Sequence, residues 1–254
     1  MGDSAGDPVT ISSVQTAYDY LYTDMTELYN RPSPWSPANA ALDILHASRS
    51  IIWLKPDYIV VYDRATSQHP GFKTFNLALT TQPVVNGNVI TSTTPGGQNL
   101  HITPLLPANS AYSASSIVGL MNPIADLEPS TSLITLQDPT DPTDTRFLHV
   151  LQGTDAGGAA TPATLFHQTS GTLMDGALFA TNAVLFVVDS TVLFNGVTYT
   201  TPSTATNHYV TGLVPGAFYS VASAATVGGV AVTITPSGAT GYQADAAGVL
   251  QLSF

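Results

Sequence analysis

The sequence predicts an all-β protein, a large antiparallel β-sandwich of about a dozen strands with a short helical segment near its N-terminus. Three observations carry this. Only 9% of the 254 residues are charged, which disfavours long surface helices, whose wet faces are normally built from Glu, Lys, Arg and Gln. Thr, Ser, Ala, Val, Gly and Pro dominate instead, the mixture of short strands closed by tight turns. Apolar runs recur along the chain at a spacing of about ten residues, the rhythm of a sandwich. With 44% of residues hydrophobic, such strands have a core to bury.

In chain order, residues 14–30 form the one helical candidate of any length. Tyr18, Leu21, Tyr22, Met25 and Leu28 recur at spacings of three and four, and Asn30-Arg31-Pro32 would stop a helix there. A proline-rich loop carrying Trp35 follows. From residue 41 the pattern is β. Ser50–Leu54 and Tyr58–Asp63 read as strands joined by a turn at Lys55-Pro56-Asp57. Strand-like runs then continue to the C-terminus, broken by Asn86-Gly87, Gly96-Gly97 and the proline-spaced acidic run 138–144. The organisation expected is a segment 1–40 docking on a sandwich 41–254, with a candidate sub-boundary near 110–130. Trp53, inside a strand, is expected in the core, and the tyrosines between 18 and 29 on the face that docks.

A net charge of −11 argues against nucleic acid or an anionic membrane as partner, since both call for a cationic surface. It leaves room for an acidic polysaccharide held by a local cationic patch. The absence of cysteine removes disulfides and thiolate chemistry. No apolar run approaches the roughly 20 residues of a membrane-spanning helix. Low charge with abundant Thr and Ser points to a secreted, extracellular or periplasmic setting. The first residues lack a basic n-region and apolar core, so the chain is expected to be the tail of something longer or to follow a lost leader.

The cations are unevenly placed. Arg49, Lys55 and Arg64, half of the six Lys and Arg, fall between residues 46 and 64. A three-residue turn at 55–57 pairs Leu54 with Tyr58 and carries Arg49 opposite Asp63, a cross-strand ion pair contributing up to about 1 kcal/mol. His46 has the opposite parity in this register and needs a bulge to reach Asp63. Asp63→Ala is expected to destabilise the fold more than Arg49→Ala.

His46-x-x-Arg49, an apolar strand, Pro56-Asp57, a second apolar strand and Asp63-Arg64 together resemble the C-terminal β-sandwich region of heparinase II/III-like polysaccharide lyases. The upstream YTDMTELYN and downstream FKTFNLAL fit the same pattern. The likeness covers roughly residues 10–155 and is densest over 18–80. It implies a secreted carbohydrate-active protein and a structural zinc held by His, Asp and His. His46 and Asp63 match the first two ligand positions; in the strand of the third this chain has Asn76, with His69 and His101 as conceivable replacements. Where some members carry a catalytic His, this chain has Ile44. The α/α-toroid that supplies most of the family's cleft has no counterpart here.

Other candidates are weaker. Gly2-Asp3-Ser4-Ala5-Gly6 matches a nucleophile elbow but lacks the strand before it and the helix after it. His149, His167 and His208 sit in or beside strands and are candidates for a metal or proton-transfer site, although none has close ligand spacing and each taken singly reads far better as a half-buried strand residue hydrogen-bonded to backbone. Asp155 is a conceivable partner for His149. The Asp residues of the run 138–144 suit a solvated loop better than a calcium site.

Three readings follow. The first is a sandwich domain of a polysaccharide lyase-like protein, with Arg49, Arg64, Tyr62 and Trp35 contacting a polysaccharide. The second is a free-standing metal-assisted hydrolase or lyase using His46, His149 or His208 as catalytic groups. The third is a structural extracellular module. The first uses the ordered resemblance and is preferred.

Overall fold

A computed structural model of the chain describes residues 11–30, 43–71, 73–118 and 130–254. Among these described residues 60% are strand and 2% helix, and no helix is as long as seven residues. In chain order the elements begin with β1 (Ile11–Val14), β2 (Tyr18–Asp24), α1 (Thr26–Asn30), β3 (Ile44–Leu54) and β4 (Tyr58–Ser67). Then come β5 (Thr74–Leu79), β6 (Val84–Asn86), β7 (Val89–Thr93), β8 (Asn99–Leu106) and β9 (Ala111–Ser116). β10 (Ser132–Gln137), β11 (Asp144–Thr154), β12 (Ala163–Gly171), β13 (Met174–Phe179) and β14 (Asn182–Val187) follow. The last are β15 (Val197–Thr201), β16 (Asn207–Val210), β17 (Phe218–Thr226), β18 (Gly229–Ser237), β19 (Tyr242–Gln243) and β20 (Leu250–Ser253).

The helix expected over 14–30 is corrected to strand β2 followed by a single turn, α1. Tyr18, Tyr20 and Tyr22 also satisfy a period of two, and the burial of Tyr18 and Tyr20 at 2% and 3% exposure shows which period wins. Aromatic residues suit a pleated, half-buried surface. Just before α1, Asp24 Oδ1 accepts from the Thr26 N–H at 2.9 Å and the Thr26 hydroxyl at 2.6 Å, satisfying donors at the start of the helical turn.

Three sheets form, ordered β1-β2-β3-β4-β11-β8-β7-β6, then β5-β10-β9, then β19-β17-β18-β15-β12-β13-β14-β16-β20. β14 and β16 pair in parallel, whereas β4–β11, β8–β11, β5–β10 and β12–β13 are antiparallel. The turn at Lys55-Pro56-Asp57 falls where the sequence places it, between β3 and β4.

The chain divides into two compact units of interleaved segments. The first holds residues 1–8, 23–49 and 56–160; the second holds 9–22, 50–55 and 161–254. The sub-boundary expected near 110–130 lies partly outside the described residues.

In the first unit β5 lays Phe75 against His149 of β11, ring centres 4.2 Å apart, so the three-stranded sheet covers one face of the larger one. Phe75, Ile134, Leu136 and Phe147 are all buried there. In the second unit the core gathers Met174, Leu185, Tyr199, Tyr219, Val232 and Ile234, each essentially inaccessible to solvent. Tyr18 joins this unit by stacking edge-on against Tyr209 and donating its hydroxyl to Asp245 Oδ2 at 2.7 Å. Asp245 Oδ1 in turn accepts from the Ala247 and Val249 N–H groups. Gly248 turns that loop at φ +73°, and an added Cβ would run into the Leu213 carbonyl.

Candidate functional site

The ion pair read from the hairpin is present and two-pronged. Arg49 Nε donates to Asp63 Oδ1 at 2.7 Å and Nη2 to Oδ2 at 2.6 Å, the fork geometry that makes Arg–carboxylate pairs strong. Bonding to Asp63 raises the Arg49 pKa. Beside the pair opens a cavity of about 270 Å³ whose lining includes Tyr29, Ser48, Arg49, Asp63, Arg64 and Lys73. Three of the six Lys and Arg of the chain thus line this cavity with one carboxylate, Arg64 turning its side chain to the opposite face of β4 from Asp63.

Each cation reaches the cavity by a different route. Arg49 comes from β3 and remains 36% exposed at its side chain. Arg64 comes from β4, is buried to 5% exposure, and rests its guanidinium 4.4 Å from the Tyr62 ring centre with Nη1 3.5 Å from Ser48 Oγ. Lys73 enters just before β5 and donates to the Pro142 and Gly71 carbonyls at 2.7 and 3.2 Å. Tyr62 itself is fully buried: it contacts Arg64 rather than open solvent. Trp35 lies outside the described residues, as do residues 2–6 with the elbow-like match.

The metal ligands implied by the resemblance do not converge. Asp63 gives both oxygens to Arg49. His46 Nε2 stands 2.9 Å from Ser48 Oγ, and its Nδ1 stands 3.9 Å from Asp24. Asn76 accepts from Thr135 and donates to Thr74. His69 pairs with Asp43 at 2.8 Å. His101 donates Nε2–H to the Gly158 carbonyl at 3.1 Å and so accepts from Thr91 through Nδ1. Among the described residues no group of three or more His, Asp or Glu is placed to hold a metal. As placed, these side chains do not fit a zinc ion. Asp24 is held below its usual carboxylate range: burial opposes the charge, but bonds from Thr26 and the nearby His46 outweigh it.

The remaining histidines have other surroundings. His149 is completely buried against Phe75 and Phe147, and neither ring nitrogen finds a hydrogen-bond partner. Burial, assisted by the charge of Arg49, pushes its pKa down to about 3, so it is neutral at physiological pH, and Asp155 does not partner it. In the second unit His208 is also buried; Nε2–H donates to the Ala205 carbonyl at 2.9 Å, which leaves Nδ1 to accept the Tyr199 hydroxyl at 2.9 Å. Burial lowers its pKa and raises that of Tyr199. His167 stands directly across from Asp175, Nδ1 3.0 Å from the carboxylate. Trp53, expected in the core, is corrected to the surface at 40% exposure, with the Lys55 ammonium 5.6 Å from its ring centre.

Lys73 and Tyr29 are the cavity residues that sequence reasoning missed. Lys73 carried a signal, being one of only six cations in a highly acidic chain. Tyr29 carried none, because its position depends on how the single turn α1 is set.

Comparison with known proteins gives a partial likeness. No family model matches the chain, and no curated protein matches it. Among solved structures, heparan sulfate lyase HepC from Pedobacter heparinus superposes on 72% of this chain and 28% of its own, at 17% identity and a TM-score of 0.49. The heparinase III BT4657 gene product superposes on 68% and 26%, at 9% identity and 0.48. A further heparinase III gives 70% and 26%, at 8% identity and 0.46. The matched region is thus about a quarter of each solved lyase.

Proposed function

We propose that this chain is a polysaccharide-binding β-sandwich module of a secreted, lyase-like carbohydrate-active protein, and that it holds an anionic sugar unit at the cavity beside the Arg49–Asp63 pair. The observation that carries this reading is the gathering of Arg49, Arg64 and Lys73 around one cavity in a chain of net charge −11. A carboxylate or sulfate entering there meets Arg49 and Lys73 beside one fixed carboxylate, with the buried Arg64 in the wall behind them, and the low-dielectric walls of the sheet strengthen that attraction. Tyr29, 62% exposed at the rim, offers an aromatic face on which a sugar ring can lie.

Arg49 and Arg64 are fixed in place by Asp63 and Tyr62, so little rotamer freedom is lost on binding. The role is recognition. His149 and His208, read from the sequence as candidate catalytic groups, are fully enclosed within their units.

The test is calorimetric titration with a uronic-acid oligosaccharide and a neutral oligosaccharide of equal length, at low and high salt. Binding of the acidic sugar alone, weakened by salt and lowered about tenfold or more by Lys73→Met, is expected. Equal binding of the neutral sugar, or an acidic-sugar affinity untouched by Lys73→Met, would sink the assignment of this cavity.

A further inference from the structure

The second unit carries an open strand edge of unusual composition. β17 pairs with β18 along its whole length, from Phe218 opposite Ser237 to Thr226 opposite Gly229. On its other side it pairs with β19 through Phe218 and Tyr219 only. From Ser220 to Thr226 that side therefore presents backbone N–H and C=O groups with no partner strand among the described residues. These residues are exposed apart from the half-buried Val221, and Val227 at the hairpin tip is wholly exposed. At the opposite end of the same sheet the edge strand, β20, has four residues.

Such edges are normally guarded by Lys, Pro, inward charges or bulges, because they template pairing with another chain. None of these guards is present here. The edge reads Ser-Val-Ala-Ser-Ala-Ala-Thr, and no Lys, Arg, Asp or Glu occurs anywhere between Asp189 and Asp245. The 17 acidic residues of the chain all lie outside that interval. Two copies of a protein with net charge −11 repel wherever their charges face each other, and this is a surface on which no like charges meet.

We infer that β17 is a self-association edge, pairing antiparallel with β17 of a second copy of this chain about a two-fold axis. An isologous contact needs only one patch that complements itself. Centred on Ser223, the pairing sets Ser220 opposite Thr226, Val221 opposite Ala225 and Ala222 opposite Ala224. Every side chain in it is small and uncharged, so the strands close to ladder distance without obstruction. A two-fold contact of β17 with itself occupies the edge of both copies, so this contact closes at the dimer. Seven residues of ladder give a contact below about 1,200 Å², which places it in the weak, concentration-dependent class.

Sedimentation velocity of the full chain between about 1 and about 200 µM tests this. A reversible shift from 26.5 kDa towards twice that mass is expected, with Ala224→Lys, an exposed position, raising the dissociation constant about tenfold or more. The chain has no cysteine, so Ser223→Cys gives a single reporter. Opposed residues of an antiparallel pair fall within disulfide range, and mild oxidation should link Ser223→Cys into a covalent dimer while Ser170→Cys, exposed on β12, stays monomeric. A constant mass of 26.5 kDa, a dimer indifferent to Ala224→Lys, growth beyond two copies, or equal cross-linking at both positions would each overturn the inference.

Discussion

Arg49 and Asp63 meet through two short hydrogen bonds, but they are unequally covered: the Arg49 side chain is 36% exposed and the Asp63 side chain 11%. The asymmetry decides what each loses when its partner is removed. An arginine left alone can turn to water along its long stem, whereas a carboxylate left alone stays enclosed with its charge uncompensated. Arg49→Ala should therefore cost about 3 kcal/mol and Asp63→Ala less, reversing the order expected from the sequence. Urea melts of both variants check this; a larger loss for Asp63→Ala would show that the buried Arg64 depends on the same carboxylate.

His149 has no partner for either nitrogen, so an apolar replacement of similar size removes a desolvation penalty and deletes no bond. His149→Leu is expected to stabilise the protein by about 1 kcal/mol at pH 7. The gain should grow in acid. The folded pKa, about 3, lies below the unfolded value near 6.5, so between those limits the unfolded chain binds a proton that the folded chain does not. Stability then falls as pH drops below about 6.5, by up to roughly 1.4 kcal/mol per pH unit from this group. Thermal melts at pH 7 and pH 5 should show the parent losing more than the variant. Parallel losses in the two proteins would reject the assignment.

The opposite result is expected at His208, where both ring nitrogens are used. His208→Phe strands the buried Tyr199 hydroxyl and the Ala205 carbonyl, at a cost of about 2 to 4 kcal/mol. His208→Phe with Tyr199→Phe should recover part of that loss, since the second change removes the orphaned hydroxyl. A double-mutant cycle measures the coupling, and a value near zero would mean that the Tyr199–His208 bond does not form.

Treatment with a chelator is predicted to leave the melting temperature unchanged, because Asp63, His46 and Asn76 are each committed to protein partners. Elemental analysis before and after chelation is the companion measurement. Stoichiometric zinc whose removal lowers stability would require the Arg49–Asp63 pair to be open in solution.

What could be read from the sequence was mostly local. The Lys55-Pro56-Asp57 turn fixes the hairpin, and from it the meeting of Arg49 and Asp63 follows by counting residues. Trp53 was equally countable: Ile52 and Leu54 on either side are buried, so strand alternation alone turns Trp53 outward. Tyr18 to Leu28 fits periods of two and of three to four, and only the core contacts of Tyr18 and Tyr20 choose between them. Lys73 was hidden for another reason. It reaches the cavity because β5 belongs to a separate three-stranded sheet bridged through β10, and that order joins residues more than fifty positions apart. Very short strands such as β6 and β19 carry too few residues to show any period.

The bond from the Tyr18 hydroxyl to Asp245 spans 227 positions, and its consequence concerns synthesis. A ribosome releases β1 and β2 long before residues 161–254, which the unit that contains them also needs. These strands must therefore wait for residues 161–254 to be made, while the first unit is already complete once residue 160 has emerged. No single cut in the chain yields both units whole. A fragment ending near 160 would carry β1, β2 and the end of β3 without the strands that belong with them, and removing the last ten residues would take away Asp245 and β20 and expose Tyr18 and Tyr209 together.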